Sequence, residues 1–175
     1  MKYLPTKIIF FSLIIAVLFA SATCKNGAST LNELNAKFLA AIKKNDVKEF
    51  DKCIPSLNQW AEFNKVYFSD QTRSKKEQEG VALNQATSQT VKIRNEFVKL
   101  MEQLIKEGFE FKNAKIENQT TANKTRSEGF EEISTTMTIN SGIYKHTYRF
   151  TSYKFKGKFY IVNQLELVEP EVIME

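Results

Sequence analysis

The spacing of apolar residues along the chain changes once, at Gly108, from the helical 3.6 to the strand-like 2. Helices gathered before one point and strands after it make an α+β domain, because a parallel sheet would need the two kinds of element to alternate. On the helical side, Thr30 and Glu33 have capping-box spacing, and Leu31, Leu34, Phe38, Ala41 and Ile42 fall on one face of a helix reaching Lys44. Asp46 and Glu49 repeat the signal before a short helix carrying Val47, Phe50 and Ile54, which Pro55 ends. Ser56 caps a third helix with Leu57, Trp60, Phe63 and Tyr67, and the helical spacing of the last three marks them as core. Ser69 to Gly80 holds no apolar residue and is either the exposed start of a long helix or a solvated loop. From about Leu83 the pattern recovers, with Val91, Phe97, Leu100, Met101, Leu104 and Ile105 as an apolar stripe, and Gly108 stands where helices end.

Beyond Gly108, Phe109, Phe111 and Ile116 suggest a first strand, and Asn118 to Arg126 reads as a polar connection. Phe130 leads into a second strand with Ile133, Thr135, Met137 and Ile139 on one face. Asn140-Ser141-Gly142 turns the chain into a third strand from Ile143 to Phe155, and Lys156-Gly157 turns it into a fourth, Lys158 to Val168, with Phe159, Ile161, Leu165 and Leu167 on one face. Hairpin links make the sheet antiparallel. The expected domain covers residues 30–175, helical over 30–107 and stranded over 109–169.

The first 22 residues read as an export signal. Lys2 and Lys7 precede an apolar run from Ile8 to Ala20 broken only by Ser12, too short for the about 20 residues of a membrane-spanning helix. Ala20-Ser21-Ala22 is a cleavage motif that would release a chain starting at Thr23. Alternatively, Cys24, directly after the apolar run, resembles the lipid-modified cysteine of bacterial lipoproteins, with Ser21 and Thr23 where that pattern prefers Leu and Gly or Ala. Residues 23–29 then serve as a polar tether. The only other cysteine is Cys53, a small buried apolar residue if Cys24 is lipidated, and a disulfide partner if it is not. Because Lys2 and Lys7 leave with the signal, the formal net charge falls from +5 to +3, which suits solubility better than a polyanion partner.

The helix reading Phe38-Leu39-Ala40-Ala41-Ile42-Lys43-Lys44-Asn45-Asp46, the short helix after it, and the closing hairpin Tyr153-Lys154-Phe155-Lys156-Gly157-Lys158-Phe159-Tyr160-Ile161-Val162 together resemble the NTF2-like (cystatin-like) superfamily. The resemblance implies a strongly curved antiparallel sheet of about four strands wrapped round N-terminal helices and enclosing a conical pocket. No strand or short hairpin between the second and third helices, which the superfamily usually has, can be read here. Tyr144, His146, Tyr148 and Phe150 alternate and so share one face, which the resemblance makes the lining of that pocket. Superfamily enzymes use an Asp or His base with a Tyr or Asp partner, and only His146 and its neighbouring tyrosines match.

His146 is the only histidine, so catalysis or metal binding by a histidine pair is excluded, and no metal site or cofactor is expected. The basic residues among the strand aromatics do not hold one face: Lys145 and Arg149 have one parity, Lys154 and Lys158 the other. With export, this argues against nucleic acid. Asn118 and Asn123 begin two N-glycosylation sequons in a chain rich in Asn, Lys and Thr, where chance matches are expected. The resulting expectation is a non-catalytic binding or accessory protein of the bacterial cell envelope or periplasm. It would be tethered to the membrane through Cys24 or secreted, and would meet an envelope protein or a small apolar ligand. The alternative is a small enzyme or small-molecule carrier with a pocket lined by Tyr144, His146 and Tyr148.

Overall fold

The computed structural model describes residues 26–68, 72–142 and 144–168. The signal, the Ala20-Ser21-Ala22 motif, Cys24 and Ile143 lie outside these described residues. Four helices come first: α1 (Leu31–Lys44), α2 (Val47–Phe50), α3 (Leu57–Tyr67) and α4 (Lys75–Lys106). A single 3-10 turn (Phe111–Asn113) leads into β1 (Lys115–Thr125), β2 (Glu131–Ser141), β3 (Tyr144–Phe155) and β4 (Lys158–Val168). The strands form one curved, open antiparallel sheet in chain order. This is the α+β arrangement expected from the change of period.

The helix starts follow from their caps. Thr30 accepts from the Glu33 amide at 3.1 Å, and Asp46 from the Lys48 amide at 2.8 Å. Ser56 with Gln59, and Ser74 with Glu77, make reciprocal capping boxes that satisfy amides a helix start otherwise leaves unpaired. The Ser74 cap decides the polar stretch before Gly80: α4 starts at Lys75, and its first turns are exposed.

The main core lies between the inner face of the sheet and the helices. Met137 and Ile139, Tyr148 and Phe150, and Ile161 and Leu165 meet Leu34, Phe38, Ala41 and Ile42 of α1, Phe50 of α2, and the buried face of α4. On β3 and β4 the residues of opposite parity are buried as well. Phe155, Tyr160 and Val162, with the half-buried Tyr153, pack with Phe130, Ala86 and the α3 side chains Trp60 and Phe63. The hairpin end of the sheet is therefore covered on both faces. Along β3 and β4 the register slips twice, near Thr151, and Gln164 takes φ 57. Since each one-residue slip reverses which way a side chain points, two slips return Leu165 to the face of Ile161.

Four sequence expectations need correction. Phe109 and Phe111 are not in a strand; the first strand begins at Lys115 and includes the stretch from Asn118 that reads as a connection. Both sequon asparagines thus stand exposed on an edge strand rather than in a loop. The short helix α2 ends at Phe50, and Ile54 lies beyond it, still buried. Val91 and Ile105 are exposed, while Thr90 and Ile93 are buried. The buried positions of α4 advance by three or four, and Val91 lies six before Phe97, on a different face. Finally, the packed domain starts before Thr30. The Gly27 amide donates to the Lys52 carbonyl at 2.8 Å, and Ala28 exchanges hydrogen bonds with Phe159 at 3.0 and 2.8 Å. Ala28 is 1% exposed, so Gly27 and Ala28 belong to the fold rather than to a free tether.

Candidate functional site

Tyr144, His146, Tyr148 and Phe150 lie along β3, paired in turn with the buried residues Ser141, Ile139, Met137 and Thr135 of β2. They divide into two pairs. Tyr148 and Phe150 are fully buried and set edge-on to Phe38 of α1, with ring centroids 6.2 and 5.3 Å away. Phe38 also meets Phe50 and Phe97, which stack on each other at 4.3 Å. The deep half of the face is aromatic core. The larger clefts lie elsewhere, one of about 540 Å³ near Asn113, Ile116 and Asn140, another of about 570 Å³ bordered by Asn26, Pro55, Leu57 and Val91.

Tyr144 and His146 form the shallow half, against the end of α4. There Glu107 caps the helix and Gly108, at φ 77, turns the chain beneath the Tyr144 hydroxyl. Phe109 then packs edge-on to His146 at 5.3 Å. The His146 side chain is 10% exposed, and its Nε2 lies 3.4 Å from the Glu107 carboxylate without the alignment of a hydrogen bond. Burial lowers the imidazole pKa, and the Glu107 charge only partly opposes this. Burial, with Glu107 adding to it, pushes the Tyr148 phenol well above its ordinary value, and its hydroxyl has no protein partner. The site is thus a neutral imidazole beside a carboxylate, over a phenol that resists ionisation.

This arrangement makes stability pH-dependent. Because the folded imidazole binds its proton less readily than the unfolded one, the unfolded state takes up more protons as pH falls through the ordinary value of 6.5. Stability is then lost toward lower pH and regained above it. The urea midpoint is expected to rise from about pH 5 to about pH 7, and His146→Phe to flatten that rise. An equally steep rise in the variant would show that other groups carry it.

Glu107 was not legible as a site residue, because a glutamate in the last turn before a glycine ordinarily reads as a solvated helix end. The turn at Gly108 brings it back over β3. Among the described residues, no cluster of three or more His, Cys, Asp or Glu is arranged to hold a metal ion, and no helix is long and apolar enough to cross a membrane.

Among the described residues Cys53 has no disulfide partner; its thiol is fully buried, and burial pushes it up to about 12. Nucleophilic attack requires the thiolate, and burial both disfavours that form and blocks access to the sulfur. Maleimide is expected to label Cys53 only after denaturant is added. Rapid labelling of the native protein would place the thiol at the surface.

The comparisons add no relative. No family profile, no curated protein and no solved structure matches the chain.

Proposed function

We propose that this chain is an exported, non-catalytic binding or accessory protein of NTF2-like architecture, held at a bacterial membrane through lipid on Cys24. The observation that carries the non-catalytic reading is the packing of Phe38 against Tyr148 and Phe150, where the superfamily resemblance puts a pocket. A buried aromatic cluster of this kind is stabilising as it stands, and a ligand would have to displace it. The curved sheet with helices on its inner face supports the architecture. The charged start and apolar run of the first 22 residues support export.

The state of Cys53 supports lipid on Cys24. Cys53 is buried among core side chains, as expected of the small apolar residue it is where Cys24 carries lipid. Intact-mass analysis of the mature protein from membranes is the test. A diacylglyceryl adduct on Cys24, lost together with membrane association in Cys24→Ser, is the expected result. A soluble form beginning at Thr23 with an unmodified cysteine would overturn the tether.

A further inference from the structure

Cys24 is followed by Lys25 and then by Asn26, from which point the chain is already fixed to the domain. The Lys37 ammonium donates to the Gly27 carbonyl at 2.6 Å, the Lys158 ammonium to the Asn26 carbonyl at 3.3 Å, and the Gly27 amide to the Lys52 carbonyl at 2.8 Å. Two residues span at most about 7 Å. A lipid on Cys24 therefore leaves the domain no slack, and whatever surrounds Asn26 must face the bilayer.

That surroundings suits an anionic bilayer. Lys37 and Lys158 reach the Gly27 and Asn26 carbonyls, and Lys52 adjoins Gly27 through its backbone; Glu33 is the carboxylate paired to Lys37, and Glu49 is shared by Lys52 and Lys44. Lys25 adds a further positive charge in sequence. The cleft that Asn26 borders is lined by Leu57 and Val91, which are 44% and 51% exposed, together with the paired Asp51 and Arg94. Lysines beside exposed apolar side chains are the composition of a surface that rests in a headgroup layer. The about 8 Å over which charges act at physiological salt exceeds the reach of the tether, so the lysines stay within range of the lipid phosphates.

We infer that the face around Asn26, formed by Lys37, Lys52, Lys158, Leu57 and Val91, lies against the anionic phospholipid headgroups of the membrane that holds Cys24. The inference rests on the tethered reading above and adds the orientation of the domain. The far end of the sheet then points away from the bilayer. Lys145 stands there, nine residues along β3 from Lys154 in the closing hairpin, about 30 Å at strand spacing.

The test uses the lipidated full chain, reconstituted in vesicles of mixed phosphatidylglycerol and phosphatidylcholine and in vesicles of phosphatidylcholine alone. A membrane-impermeant acylating reagent labels the amines, and mass spectrometry reads each lysine relative to Lys112. Labelling of Lys37, Lys52 and Lys158 is expected to slow about fivefold in the anionic vesicles relative to the neutral ones, the gain of one lysine at an anionic surface. Equal labelling in both vesicles, or equal slowing at Lys145, overturns the orientation while leaving the tether intact. An unmodified Cys24 in the same sample overturns the tether and the orientation together.

Discussion

Phe38→Ala is expected to remove about 3 to 5 kcal/mol of folding stability, a large part of the 5 to 15 kcal/mol typical of a domain this size. Phe38 is fully buried, and its ring meets Phe50, Phe97, Tyr148 and Phe150. Those four come from α2, α4 and β3, so the ring joins three elements that α1 alone could not hold together. Removing it leaves a void walled by aromatic side chains that are themselves fixed by packing, and such a site collapses poorly. The comparison is Val98→Ala on the exposed face of α4, which is expected to change stability by no more than about 0.5 kcal/mol. Urea unfolding followed by Trp60 fluorescence and by far-ultraviolet circular dichroism measures both. Near-equal midpoints for the two variants would show that the cluster is not the centre of the core, and would reopen the inner face as a site for a ligand.

The same cluster explains which parts of the fold could be read from the sequence. Helix starts depend on near neighbours in sequence, so the caps at Thr30, Asp46 and Ser56 could be read, while Ser74 sits in a polar stretch with no apolar period to mark a helix after it. The sharing of one face by Tyr144, His146, Tyr148 and Phe150 follows from strand alternation. Whether that face is open follows from Phe38, on an element far away in sequence, and no local pattern carries such information. The extent of β1 is misplaced in the sequence reading for a related reason. As an edge strand it is held by backbone pairing to β2 and shows almost no apolar alternation, so its register is invisible in composition. Its side-chain link to the helices is polar, with Gln119 bonded to Asn32 and Asn35 at 2.8 Å each. The docking of Gly27 and Ala28 is likewise made mostly by backbone groups, which look the same in every sequence.

Gly27→Ala is expected to release the N-terminal segment while the rest of the domain stays folded. Gly27 has φ 78, where a side chain costs about 1 to 2 kcal/mol. A methyl group there would also run into the Tyr160 ring, 2.8 Å from Cζ and 2.9 Å from Cδ1. Tyr160 cannot swing aside cheaply, because it is 2% exposed, packed with Trp60 and Phe63, and hydrogen-bonded to Gln59 at 2.9 Å. Overpacking of this kind adds about 1 to 3 kcal/mol. The segment is held by a few hydrogen bonds worth about 1 kcal/mol each and by one buried alanine, so undocking is easier than deforming the aromatic cluster. Hydrogen exchange at the Ala28 and Phe159 amides is expected to quicken by about 30-fold or more, with little change at amides of α4. Gly157→Ala separates the two causes, since Gly157 has φ 73 but nothing within 4 Å of an added methyl group. If both variants quicken exchange alike, backbone conformation is the whole effect and the Tyr160 contact contributes nothing. If only Gly27→Ala does so, the segment after Cys24 is set by a steric fit to the core. Freeing it should then abolish the slow labelling of Lys52 and Lys158 on anionic vesicles, because a lengthened tether no longer dictates which face meets the lipid.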